Sequence, residues 1–378
     1  MAKIGILTQP LGLNYGGILQ AFALQHVLRQ EGHSPIILNR VRSPYVRIAS
    51  LGWNALNFLL GKRPKLRISP NHKELGTITQ YTTKFIDEHI SITDRIQSTN
   101  QLKGTFNHEN IDAVIVGSDQ VWRKSFSPCI SNYFLDFISG NNEIRKVAYA
   151  ASFGIDYWEY GKNATKYFKA LAQEFDAISV REDSAVELCK KHLDIDATLV
   201  LDPTMLVDRS VYEGLAKSLT TEPSKGNLFC YVLDRTPEKM ALVRKVADDT
   251  SLTPFELLPK KKYSEIKSAK ELDDCILPPV EQWLRSFLEA KFVVTDSFHG
   301  TVFSIIFNKP FIVIPNLKRG ATRFTSLLEE FGLLDHLIDL DSSTFQKYFS
   351  SGFDWSTINE RLSIDLQKSF SFIMNNVE

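Results

Sequence analysis

An α/β protein with two Rossmann-like domains facing each other across a cleft is the fold this sequence predicts. Three observations carry that expectation. Short apolar runs of strand length alternate with segments of helical spacing along the chain. Most of these runs stop at small polar residues, as they do where an open parallel sheet delivers loops to a ligand. The alternation pauses once, between Pro203 and Lys225, and then begins again. The pause divides the chain into a first domain over residues 1–205, a second over 206–350 and a helical tail over 351–378 that reaches back to the first.

The elements follow in order. Residues 3–8 read as a strand buried on both faces. Asn14-Tyr15-Gly16-Gly17 then leads into a helix over 18–28, with Leu19, Phe22, Ala23 and Val27 at helical spacing, and residues 34–38 return as a strand. Glycines before a helix let a ligand approach the backbone, and the helix N-terminus favours an anion; a structural turn is the plainer reading. It is neither a GxGxxG fingerprint nor a Walker loop. Further strands occupy 112–116, 146–150, 177–182 and 198–201, and helices 168–175 and 184–191. The second series has strands at 229–232, 254–258, 292–295 and 311–314, with helices at 237–249, 280–290, 302–307 and 324–331.

Residues 40–75 form a basic and apolar insertion into this pattern. Arg40, Arg42, Arg47, Lys62, Arg63, Lys65, Arg67 and Lys73 flank an apolar run at 51–60 that contains Trp53. Such a segment can lie in a membrane interface, which adds an expectation of peripheral membrane contact; an amphipathic insertion packed on the domain is the alternative.

Composition excludes several function classes. The 378 residues are 43% hydrophobic and 23% charged, and Lys+Arg balance Asp+Glu at 44 each. Nothing in that balance argues for nucleic acid. Cys129, Cys189, Cys230 and Cys275 are far apart without CxxC or Cys/His spacing, so neither a metal site nor a disulfide framework is expected, and a reducing compartment fits. The opening apolar run is too short for a signal peptide, and no stretch approaches the roughly 20 apolar residues of a membrane span. A cytoplasmic location is the expectation.

Chemistry-bearing residues gather at strand ends and helix starts: Asn14, Gly16 and Gly17; Ser118 and Asp119; Ser152; Arg181; Asp296, Ser297, His299 and Gly300; Arg319 and Arg323. His299 opens a helix directly after a strand, where it either meets an anionic ligand or caps and packs beneath the helix. Arg suits planar, bidentate recognition of phosphate or carboxylate. Asp202-Pro203 reads as turn chemistry.

Five of these stretches occur in an order that resembles the polysaccharide pyruvyl transferase family: Val116-Gly117-Ser118-Asp119-Gln120-Val121-Trp122, Ala151-Ser152-Phe153-Gly154, Ser179-Val180-Arg181-Glu182, Leu201-Asp202-Pro203-Thr204 and Asp296-Ser297-Phe298-His299-Gly300. The Asn14-Tyr15-Gly16-Gly17 loop is similar too. The resemblance covers about residues 3–330. It implies a GT-B-like architecture and transfer of a pyruvyl group from phosphoenolpyruvate to a galactose-type sugar of a polysaccharide or lipid-linked glycan precursor, as a ketal across two hydroxyls. Phosphoenolpyruvate is then the donor substrate, and no cofactor is implied.

The resemblance also distributes roles. Arg181 matches a donor-binding arginine, and His299 and Gly300 match the histidine and glycine of the second donor motif. Ser297 stands where that motif has an arginine, so Arg323 or Arg319 is expected to supply the missing cation. His299 is the expected general acid and Asp119 the base for the acceptor hydroxyl. Asn14, Gly16, Gly17, Ser118 and Ser152 are assigned to the acceptor side. Two other readings compete: a GT-B glycosyltransferase using a nucleotide sugar, and a non-catalytic relative that binds an anionic glycan.

Overall fold

The computed structural model describes residues 1–43, 70–219, 222–316, 322–342, 345, 347–348 and 353–377. Its first sheet is built from β1 (Lys3–Leu7), β2 (Ser34–Ile37), β3 (Ala113–Val116), β4 (Arg145–Ala151), β5 (Ala177–Val180) and β6 (Thr198–Leu199) in the order β2-β1-β3-β4-β5-β6. The second contains β7 (Leu228–Tyr231), β8 (Pro254–Phe255), β9 (Phe292–Thr295) and β10 (Phe311–Val313) in the order β10-β9-β7-β8. Every pairing within them is parallel. Parallel strands are covered on both faces, which explains the unbroken apolar runs of β3 and β9, all of whose residues are buried.

The connecting helices are α1 (Tyr15–Gln30), α2 (His72–Ile78), α3 (Gln80–His89), α4 (Thr99–His108), α5 (Lys162–Ala172), α6 (Asp183–Leu188), α7 (Arg209–Ser218), α8 (Pro237–Thr250), α9 (Val280–Glu289), α10 (Phe298–Ile306), α11 (Thr322–Glu330) and α12 (Trp355–Val377). Both sheets reverse direction once, between β1 and β3 and between β7 and β9. Crevices at such switch points hold ligands in open α/β sheets, and the loops after β1, β3 and β9 carry Asn14, Gly16, Gly17, Ser118, Asp119, Ser297 and His299 among the candidate residues.

Two helical regions differ from the expectation. Helix α1 starts three residues earlier than its apolar spacing indicates, because the Asn14 side chain accepts a bond from Gly16 N (3.2 Å) and caps the first turn. Helices α2–α4 escape the strand-helix alternation because each buries only one to three residues, such as Phe85 and Ile86 in α3.

Helix α1 also explains how the domains are joined. All of its residues from Tyr15 to Gln25 are buried, so both its faces are covered. Tyr15 stacks on Trp283 of α9 (5.6 Å between centroids), and its hydroxyl donates to Pro278 O (2.8 Å). Tyr212 of α7 lies 6.5 Å from Phe22 of α1 and meets Phe303 of α10 edge-on at 5.0 Å. One apolar core therefore runs from Ile4 and Phe22 in the first domain to Trp283, Val293 and Phe303 in the second. Helix α12 returns to the first domain, where Ser369 Oγ accepts from Leu201 N (2.9 Å) and Phe372 lies 6.3 Å from Tyr149. Among the described residues, no helix is long and apolar enough to cross a membrane. Most of the 40–75 insertion, including 51–60, lies outside the described residues.

Candidate functional site

The site begins with the way β9 ends. Thr295 Oγ1 donates to Tyr231 O (2.9 Å) and accepts from Ser297 N (3.1 Å), which fixes the turn. Ser297 is the N-cap of α10, its hydroxyl accepting from Gly300 N at 3.4 Å. His299 therefore stands in the first turn, 5% exposed, with Gly300 behind it as part of the helix backbone. Asp296 turns the other way. Its carboxylate accepts from Leu233 N (2.6 Å), Asp234 N (3.1 Å), Lys239 Nζ (2.7 Å) and Asn316 Nδ2 (3.1 Å), tying the ends of β7 and β9 together inside the second domain.

The first domain supplies the facing wall. After β3 the chain passes Gly117 at φ +125°, where an added Cβ would lie 2.1 Å from Tyr149 O, so only glycine fits. Ser118 follows, fully buried. Its N–H donates to Gln20 Oε1 (3.0 Å), while its hydroxyl donates to Ala150 O (3.2 Å) and accepts from Asp119 N (2.6 Å). Arg181, at the end of β5, spans two carboxylates. Nη2 donates to Asp119 Oδ1 (2.8 Å) and Nη1 to Asp202 Oδ2 (2.6 Å). Ser152 is buried and donates to Glu182 Oε1 (2.7 Å), which also accepts from Phe153 N and Gly154 N at 3.1 Å each. Ser152 thus anchors the glutamate beside Arg181 and faces no open space.

The two walls meet at His299. Its Nε2 lies 3.5 Å from Asp202 Oδ2, and a Cβ added at Gly16 would lie 2.0 Å from its Nδ1. The Phe298 ring carries Arg181 Cζ at 4.7 Å and Arg323 Cζ, from the first turn of α11, at 5.3 Å. Two buried guanidinium groups on one ring repel each other unless anions offset them.

The electrostatics follow from that crowding. Burial pulls the Arg323 guanidinium down to about 10, and Arg181 beside it adds to the effect. Burial alone would raise the Asp119 carboxyl; Arg181, His299 and Arg323 outweigh it and hold it below the usual range. Asp202 is likewise held well below that range, with burial opposed by His299, Arg181 and Thr204. Burial also works against Arg181 staying charged, but Asp119, Asp202 and Glu182 reverse that and raise it. Asp119, Asp202, Arg181 and Arg323 are thus charged at neutral pH although each is buried.

Of the residues expected from the sequence, Gly16, Ser118, Asp119, Arg181, His299 and Arg323 come together here. Asn14 and Gly17 sit one step away at the start of α1, and Ser152, Asp296 and the Ser297 hydroxyl are committed to local bonds. Arg319 lies outside the described residues. Asp202 and Phe298 join the site without having been assigned a role in it; both lie in stretches that carry the family resemblance, and from its local sequence Asp202 reads only as turn chemistry. A cleft cavity of about 380 Å³ opens between the domains, lined by Leu13 and Ile78 on one side and Leu233, Arg235 and Leu258 on the other, whereas Arg181, Asp202 and Phe298 line a separate, smaller cavity of about 40 Å³.

Two Rossmann-like domains with a charged junction between their strand ends define a GT-B-like molecule. Two solved structures share its architecture. One is Arabidopsis thaliana UGT89C1 complexed with UDP-L-rhamnose, at TM-score 0.52 and 10% identity, covering 100% of this chain and 99% of that one. The other is UDP-GlcNAc 2-epimerase from Neisseria meningitidis bound to UDP-GlcNAc, at TM-score 0.50, 10% identity and the same coverage. At such identity the likeness is one of fold. The chain belongs to the polysaccharide pyruvyl transferase family, whose model matches residues 14–318. None of the curated proteins matches it in sequence.

Proposed function

We infer that this transferase moves the pyruvyl group of phosphoenolpyruvate onto a galactose-type sugar of a polysaccharide or lipid-linked glycan precursor, closing a ketal across two hydroxyls. Family membership supports the pyruvyl transfer. The observation that carries the donor is the treatment of Arg181. Both its Nη atoms are engaged, but its Nε is buried with no hydrogen-bond partner. A buried orphan donor is costly, and here it shares the Phe298 ring with a second guanidinium. An anion carrying phosphate and carboxylate groups would satisfy the first and offset both charges.

His299 then acts on the donor. Its imidazolium gives a proton to C3 of the enol, and C2 becomes oxocarbenium-like. A sugar hydroxyl attacks C2, passing its proton to Asp119. Phosphate leaves with the C2–O bond pair, and the second hydroxyl closes the ring, its proton leaving with the phosphate. The N-termini of α1 and α10 favour the anionic groups throughout. The cleft cavity beside Leu13 and Leu233 has the size of a small-molecule site and would receive the acceptor.

The test is incubation with phosphoenolpyruvate and a panel of β-galactose-bearing acceptors. Phosphate release and a new ketal methyl signal by NMR are expected, and His299→Ala should lower turnover roughly 10²- to 10⁴-fold. No release across the panel, or binding of UDP-sugars instead, would overturn the reading.

A further inference from the structure

We propose that Asp202 is the positioning residue of the general acid: it reaches across from the first domain, engages Nε2 of His299 and leaves Nδ1 to transfer the proton. The proposal rests on the pyruvyl-transfer reading and on His299 as its acid.

The geometry of Asp202 is specified by its own turn. Oδ1 accepts from Thr204 N (3.1 Å) and Thr204 Oγ1 (2.7 Å), so that oxygen is spent locally. The other oxygen is thereby aimed at the junction, where it accepts from Arg181 Nη1 (2.6 Å) and stands 3.5 Å from His299 Nε2. The Asp202 side chain is 0% exposed and that of His299 7%. Nε2 is buried and has no hydrogen-bond partner, so 3.5 Å is an ion-pair distance at which a bond is not yet formed. Catalytic hydrogen bonds are often long before substrate binds. On its other edge the ring lies over Gly16, where an added Cβ would come within 2.0 Å of Nδ1. Gly16 belongs to the N-terminus of α1, so Nδ1 faces the place where an anionic donor is favoured. Both contacts that hold the ring come from the first domain, whereas His299 belongs to the second. The acid is therefore assembled only by the docked pair of domains.

Besides Asp202, Asp119 after β3 is the charged group that acts with His299; Arg181 after β5 and Arg323 on α11 act in turn on Asp119, with Glu182 beside both arginines and Arg123 beside Arg323. A carboxylate against Nε2–H fixes the tautomer that carries its transferable proton on Nδ1 only in the imidazolium. It also stabilises that imidazolium among the arginines. The proton given to C3 leaves neutral His299 with Nε2–H still held, and Asp202 exchanges no proton at any stage.

Asp202→Asn keeps the shape and removes the charge. Its expected effects are a kcat lower by roughly 10- to 100-fold, a KM for phosphoenolpyruvate within about twofold, and an alkaline limb of the kcat–pH profile moved to lower pH. In a His299→Ala background the same change should cost nothing further. An equal loss in both backgrounds would place the effect on Arg181 and overturn the proposal, as would an unmoved pH profile. Thr204→Val, which loosens Oδ1 alone, should give a smaller loss in the same direction and serves if Asp202→Asn does not fold. Imidazole ¹⁵N NMR of the unliganded protein separates this idea from the reaction it serves. The neutral ring of His299 should carry its proton on Nε2 in the wild type and lose that preference in Asp202→Asn, whether or not phosphate is released. The same tautomer in both proteins would sink the positioning role, whereas silence in the phosphate assay alone would sink pyruvyl transfer.

Discussion

Gly16 has no room for a methyl group, because the imidazole of His299 occupies that space. The sequence marks this glycine as a point of close approach. What approaches is a side chain from the other domain, and no local pattern could say so. Gly16→Ala should push the ring off Asp202. The expected outcome is a loss of turnover approaching that of His299→Ala, together with about 1–3 kcal/mol of destabilisation from overpacking, read by urea titration. Unaltered turnover would mean that His299 need not sit where the closed junction holds it. Ser297 is the complementary case. Its hydroxyl caps α10, so Ser297 has a structural task, and the second guanidinium over the Phe298 ring is that of Arg323.

At the scale of elements, the ends of β3, β5 and β6 form one unit, because Arg181 bridges Asp119 and Asp202. Both carboxyl groups are held below their ordinary range in the folded chain. A depressed folded value gives stability that is complete above the unfolded value of roughly 4 and is lost as pH falls through the folded value. Urea midpoints should therefore fall on acidification below about pH 4. Asp119→Asn should flatten part of that decline, and a slope identical to wild type would show that the bridge contributes nothing. Each strand, its polar end and the order of these elements were legible in the apolar runs. The bridge was not: Arg181 followed by an acid has the same local pattern as a surface pair, and burial alone distinguishes them.

At the scale of the molecule, the two domains share a core. Trp283 stacks on Tyr15 and meets Tyr231, Phe287 and Phe303. Helix α12 adds a clasp through Ser369. Domains joined only by a polar seam would unfold separately; these should unfold together. Far-ultraviolet circular dichroism and tryptophan fluorescence are expected to give coincident urea transitions, and Trp283→Ala should lower stability by about 3–5 kcal/mol. Two resolved transitions in the wild type would contradict a continuous core.

The sequence by itself determined the class of fold, the polar ends of the strands and a histidine at the mouth of a helix. All of these follow from short-range periodicity and from which residues can end a strand or open a helix. The resemblance to a family likewise rested on short motifs in order. Tertiary structure alone decided which of those ends meet. Asp296 faces inward to Lys239, although it stands three residues from His299. Asp202, far away in the chain, comes within 3.5 Å of the same ring. The physical reason is that a parallel sheet brings the loops that follow its strands to one edge, and two such edges then face each other. Contact between them is set by domain docking, which local sequence does not encode.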